Sequence, residues 1–175
     1  HFRAIADAVT IPQVLYNVPG RTSVDLTNDS ALTLFEHPRI GAIKDATGNV
    51  ARGIDLISRA PKNINVYSGD DGTAAQLMIS GGAGNISVTA NVIPQTMAQL
   101  CQAAMAGESD QVADISARIA HLNRALFLES NPIPVKWALA HLGRIGAGIR
   151  LPLTPLSEPY QAELIAALDA CKENS

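Results

Sequence analysis

Arg39-Ile40-Gly41-Ala42-Ile43-Lys44 is a short apolar run that follows His37-Pro38 and ends on a lysine. Its length suits a β-strand, and its lack of polar alternation suits a strand covered on both faces. Upstream, Gln13-Val14-Leu15-Tyr16-Asn17-Val18 is a run of the same kind, closed by Pro19-Gly20. Downstream, Asn63-Ile64-Asn65-Val66-Tyr67-Ser68 and Gly84-Asn85-Ile86-Ser87-Val88 repeat it. Helical patterns fill the gaps. One runs from Asn28 to Glu36, one follows Asn49 as cap and carries Ile54 and Ile57, and one follows Asp70 or Asp71 and stops at Gly81-Gly82. A fourth starts at Pro94 and runs to Gly107. Strand–helix alternation of this kind predicts a parallel sheet covered by helices.

The rest of the chain reads as helix. Val112, Ile115, Ile119, Leu122 and Leu126 step by three and four along one face. Asn131-Pro132-Ile133-Pro134 turns into a helix around Trp137 and Leu139, and Leu164, Ile165 and Leu168 mark a last one. The expected division is residues 1–107 for the strand–helix units and 108–175 for a helical domain. The first residue is His1, and Phe2, Ile5, Ala6 and Val9 follow at helical spacing with no capping residue before them. The expectation is a chain that starts inside an element, with sequence missing upstream.

Composition narrows the function classes. Of 175 residues, 47% are hydrophobic and 17% charged, so the chain can bury a core and is not disordered. A net charge of −3 argues against a nucleic-acid partner. No apolar run nears the roughly 18 residues of a membrane span, so no membrane partner is expected. Two cysteines, Cys101 and Cys171, form no pair motif, which suits a reduced cytoplasmic protein. Low charge and abundant alanine suit a homo-oligomer. The histidines show no metal-ligand spacing, Asp70-Asp71-Gly72 lacks the remaining ligands of a calcium loop, and Gly81-Gly82-Ala83-Gly84 has the wrong strand–helix order for a phosphate loop.

In parallel α/β folds the chemistry lies at the C-terminal ends of the strands. Lys44 closes the deciding strand, with Gly41 and Ala42 leaving room before it. Alternation puts Ile40, Ala42 and Lys44 on one side. Burial there would disfavour the ammonium and free a lone pair for attack on a carbonyl. The alternative is a lysine whose amine reaches solvent from the strand end. Tyr16 is either a core aromatic or a proton carrier. Arg21, just past Pro19-Gly20, is either a solvated loop residue or a fork for a substrate carboxylate.

Tyr16-Asn17-Val18-Pro19-Gly20-Arg21-Thr22 followed by Gly41-Ala42-Ile43-Lys44-Asp45-Ala46-Thr47 resembles the paired signature of the dihydrodipicolinate synthase and N-acetylneuraminate lyase superfamily. Ser68-Gly69-Asp70-Asp71, Gly84 to Asn91 and Asn131-Pro132-Ile133-Pro134-Val135-Lys136-Trp137 extend the resemblance over nearly the whole chain. Arg21 and the Asn131 segment favour the dihydrodipicolinate synthase branch. The resemblance implies an α/β fold, the second half (strands 5–8) of a (β/α)8 barrel with a C-terminal helical extension. It implies a class I aldolase in which Lys44 forms a Schiff base with pyruvate and Tyr16 passes protons. Arg21 would hold the carboxylate of aspartate semialdehyde, and the backbone of Ile86 and Gly69 would line the pyruvate site. No metal or dissociable cofactor is implied, and the expected assembly is a homotetramer. Two other readings compete: a related pyruvate-dependent lyase acting on N-acetylneuraminate or 2-keto-3-deoxy-sugar acids, and a non-catalytic half-barrel. The family's Gly-Thr-Thr-Gly-Glu segment, whose threonines bind pyruvate, has no counterpart in these residues.

Overall fold

A computed structural model describes residues 1–172; the final three residues of the expected helical domain lie outside the described residues. Contacts divide the chain into two compact units, one of residues 1–86 with 104–107 and one of residues 87–103 with the chain from Glu108 on.

The first unit is built on four strands, β1 (Gln13–Asn17), β2 (Ile40–Asp45), β3 (Asn65–Ser68) and β4 (Gly84–Asn85). They pair in sequence order and all in parallel. Helices α1 (Phe2–Ala8), α2 (Pro19–Thr22), α3 (Asn28–Phe35), α4 (Val50–Arg59) and α5 (Ala74–Ile79) accompany them. Two of these helices start on side-chain caps. The Thr27 hydroxyl accepts from the Ser30 N–H, and the Asn49 side chain accepts from the Arg52 N–H at 3.0 Å. Each such cap is worth about 1 kcal/mol. Asp70 works one step earlier than expected: its carboxylate accepts from the Thr73 N–H (3.0 Å) and hydroxyl (2.7 Å). It holds the turn that leads into α5, whose N-cap is Thr73.

Register puts Tyr16, Lys44, Tyr67 and Gly84 in one row and Asn17, Asp45, Ser68 and Asn85 in the next. Alternation sends the two rows to opposite faces. Leu15, Ile43 and Val66 lie on the Asn17 face and pack with Ala6, Ala31, Phe35 and Leu56. The other face carries Val14 and Tyr16, each about half exposed, beside Ala42 and Lys44. Ile40 departs from the expected alternation. The β1–β2 register slips between Gln13 and Val14, and Ile40 joins the helix-side cluster while Ala42 and Lys44 stay opposite. One extra residue in a strand reverses the faces beyond it.

The fourth strand is shorter than its apolar run suggests. The Ile86 N–H still bonds the Ser68 carbonyl (2.9 Å), but the Ser87 hydroxyl then accepts from the Ala90 N–H. That bond turns the chain into a 3₁₀ turn at Thr89–Asn91.

The second unit is helical. Its elements are most of α6 (Pro94–Ala106), then α7 (Ser109–Ala125), α8 (Ile133–His141) and α9 (Glu158–Lys172). Val112, Ile115, Ile119, Leu122 and Leu126 are all buried, as their spacing predicts. Leu122 and Leu126 meet Ile133, Ala138, Leu164 and Leu168 in its core. Among the described residues no helix is long and apolar enough to cross a membrane.

The sheet of the first unit has β1 and β4 as edges and an open apolar face, features that template association with other chains. The 175 residues expressed alone are therefore expected to self-associate. Sedimentation velocity should show dimers or larger species; a single monomeric boundary with cooperative unfolding would contradict this.

Candidate active site

Lys44 stands one residue from the end of β2, between Tyr16 on β1 and Tyr67 on β3. Its side chain is half-buried, and its Nζ lies 4.5 Å from the centroid of the Tyr16 ring. A cation over an aromatic face gains about 0.5–1 kcal/mol at a site open to solvent. The pairing therefore fixes where the amine points more than it stabilises the fold.

What gives the lysine stem its path is Gly69. A Cβ there would lie 2.7 Å from Lys44 Cε and 2.8 Å from Ala46 Cβ. Ordinary carbon contacts are about 3.5–4.0 Å, so any side chain would have to displace the lysine. The Gly69 N–H is fixed on the Asp45 carbonyl at 2.8 Å, which prevents the loop from backing away. Gly41, expected to leave room before the lysine, has no such part, because a Cβ there would meet nothing within 4 Å. Asp45, buried beneath the same strand end, accepts from the Thr47 N–H (3.1 Å) and hydroxyl (3.0 Å). That turn carries the chain sharply off the sheet just past the amine.

Lys44 thus lies against both Tyr16 and Gly69. Arg21 and Ile86 follow β1 and β4, the opposite edges of the sheet. Arg21 sits in α2, a single turn missing from the sequence reading, which ends at Ser23 with φ 55° and the Ser23 N–H on the Pro19 carbonyl. The Ile86 N–H is committed to Ser68, so its carbonyl is the backbone group it can offer a ligand.

Sequence reasoning missed two features here. Tyr67 shares the row of Lys44, which its position two residues before Gly69 could have suggested. The other is a set of bonds behind Arg21. Asn17, 2% exposed, donates to Asp25 Oδ1 (2.9 Å), and Arg52 donates to Asp25 Oδ2 (2.6 Å). The Arg52 bond first, and then the Asn17 bond, hold the Asp25 carboxyl below the usual carboxylate range.

A strand-end amine laid against a tyrosine, at the C-terminal edge of a parallel sheet, is the arrangement these strands present. The chain belongs to the dihydrodipicolinate synthetase family, whose model matches residues 1–171. It is 56% identical over 171 residues to a 4-hydroxy-tetrahydrodipicolinate synthase of Marinobacter nauticus, covering 97% of this chain and 59% of that relative. With the Nitrosomonas europaea protein of the same description it shares 58% identity over 165 residues, 94% of this chain and 56% of the relative. Among solved structures, the chloride-inhibited dihydrodipicolinate synthase of Acinetobacter baumannii, complexed with pyruvate, superposes with a TM-score of 0.96 at 54% identity. That match covers 98% of this chain and 59% of the other. The Aquifex aeolicus dihydrodipicolinate synthase gives 0.94 at 36% identity, over 99% and 59% of the two chains. The chain thus spans about three-fifths of the length of the proteins it matches. The fold class is a partial (β/α)8 barrel, its second half, with a C-terminal helical extension.

Proposed function

We propose that this chain is the lysine-bearing part of a 4-hydroxy-tetrahydrodipicolinate synthase, a lyase that condenses pyruvate with aspartate semialdehyde in lysine and diaminopimelate biosynthesis. The observation that carries the reading is the Lys44 amine, 4.5 Å from the centre of the Tyr16 ring and threaded past Gly69 at the strand ends. The shared family and the pyruvate in the Acinetobacter baumannii structure support it.

The chemistry follows from an amine with a lone pair. Lys44 Nζ adds to the keto carbon of pyruvate, and the carbinolamine loses water to give a protonated imine. Tyr16 carries protons to and from the departing oxygen. The imine draws electrons, so a proton leaves the adjacent methyl group and an enamine forms. Its carbon attacks the aldehyde, forming the new C–C bond. The iminium is itself the electron sink, so the reaction needs no metal or dissociable cofactor. Gly69 and the Ile86 carbonyl would line the pyruvate site.

Arg21 sets the choice of second substrate. Its planar fork matches a small carboxylate such as that of aspartate semialdehyde. Counting α6 as the helix of the fourth strand–helix unit, the catalytic half-barrel is residues 1–107 and the extension 108–175. The assembly we propose is a cytoplasmic homotetramer.

The test uses chain joined to the first half of a barrel. Arg21→Ala should raise the KM for aspartate semialdehyde by at least about tenfold, the loss of one charge-assisted pair. Imine formation with pyruvate, read by stopped-flow absorbance, should stay within about twofold. Arg21→Lys should rescue only part, because it keeps the charge and loses the fork. Equal loss in both steps would remove Arg21 from substrate recognition.

A further inference from the structure

Asn17 lies directly after Tyr16 and points to the opposite face of the sheet, into the helix-side interior. A buried amide has to satisfy both its ends. Both go to one short segment. Asn17 Nδ2 donates to Asp25 Oδ1 (2.9 Å) and to the Leu26 carbonyl (3.3 Å), and Asn17 Oδ1 accepts from the Leu26 N–H (3.0 Å). From the other side Arg52, in the first turn of α4, donates to Asp25 Oδ2 at 2.6 Å and to the Leu26 carbonyl. Arg52 is itself anchored, its N–H on the Asn49 cap. A strand and a helix therefore grip the same two residues.

The gripped segment is the one that leaves α2. Between Arg21 and Asp25 the chain has no sheet partner; it turns through Ser23 in the left-handed region, and the Thr22 hydroxyl donates to the Val24 carbonyl (2.9 Å). At the far end of that turn Asn17 and Arg52 supply the polar hold on Asp25 and Leu26, where the Leu26 side chain also packs against the helix-side cluster. We propose that Asn17 and Arg52 are positioning residues that set the placement of Arg21 through the Asp25-Leu26 clamp. The proposal rests on reading Arg21 as the carboxylate fork. Asn17 thereby links the two substrates: the residue before it serves the imine, and its own side chain sets the segment that receives the aldehyde.

The experiment uses chain joined to the first half of a barrel and reads two quantities. One is hydrogen exchange at the Leu26 N–H, which reports the clamp whatever the activity. The other is the KM for aspartate semialdehyde set against the rate of imine formation with pyruvate. Asn17→Ala should speed Leu26 exchange and raise the aldehyde KM by about tenfold each, with imine formation within about twofold. Asn17→Asp should do the same by facing two carboxylates. Adding Asp25→Asn restores a donor opposite an acceptor, so the double variant should recover much of the loss. Where Asn17→Ala fails to fold, Arg52→Gln and Arg52→Lys make the same test from the helix side, with lysine expected to lie between native and glutamine.

Faster Leu26 exchange with an unchanged aldehyde KM would overturn the proposal. Parallel loss of imine formation and condensation would also overturn it, leaving Asn17 as a fold residue. If Arg21→Ala, run alongside, leaves the aldehyde KM unchanged, it is the reading of Arg21 that fails, while Leu26 exchange still reports the clamp.

Discussion

Lys44→Arg, in chain joined to the first half of a barrel, is expected to lower condensation by at least about a thousandfold, the scale of losing a covalent nucleophile. A guanidinium keeps the positive charge and can still lie over the Tyr16 ring, but it stays protonated and has no lone pair for a carbonyl. Circular dichroism and the unfolding midpoint should move little, because the side chain is half-buried at a strand end and not part of the helix-side core. Steady-state turnover against that unchanged fold is the measurement. Retained turnover would mean that the amine is not the nucleophile.

Gly69→Val should have the next largest effect, for a steric reason. Even a single Cβ would stand 2.7 Å from Lys44 Cε and 2.8 Å from Ala46 Cβ, so it meets the lysine stem and a second side chain at once. The amine must swing away, and displacing a reacting atom by about 1 Å costs roughly a hundredfold. The expected result is a drop of that order in imine formation, smaller for Gly69→Ala. Gly41→Ala is the control, since its Cβ would meet nothing within 4 Å. A Gly69→Val chain that forms imine at the native rate would show that the lysine has another path.

The sheet was legible because four apolar runs alternate with helical spacing, and each run ends on polar residues that a parallel fold gathers at one edge. Lys44 and Tyr16 were legible for the same reason, reinforced by the family signature around them. Gly69 came from the signature alone; its steric role depends on the lysine stem passing over it, which no local pattern encodes. The register slip that moves Ile40 to the helix side was hidden, because an apolar residue suits either face of a covered strand. The shortened β4 turns on one hydroxyl, Ser87, competing for the backbone. Least legible was the clamp behind Arg21. Asn17 reads as a polar strand end and Arg52 as the solvent face of an amphipathic helix. Only the fold brings them to Asp25, eight residues from one and twenty-seven from the other.

The central claim, that Lys44 carries the Schiff base, is tested most directly by trapping. Chain joined to the first half of a barrel is incubated with pyruvate, reduced with borohydride, digested and mapped by mass spectrometry. The expected result is a single reduced adduct on the peptide containing Lys44, with Lys62, Lys136 and Lys172 unlabelled. An adduct on another lysine, or none from a preparation that turns over substrate, would contradict it.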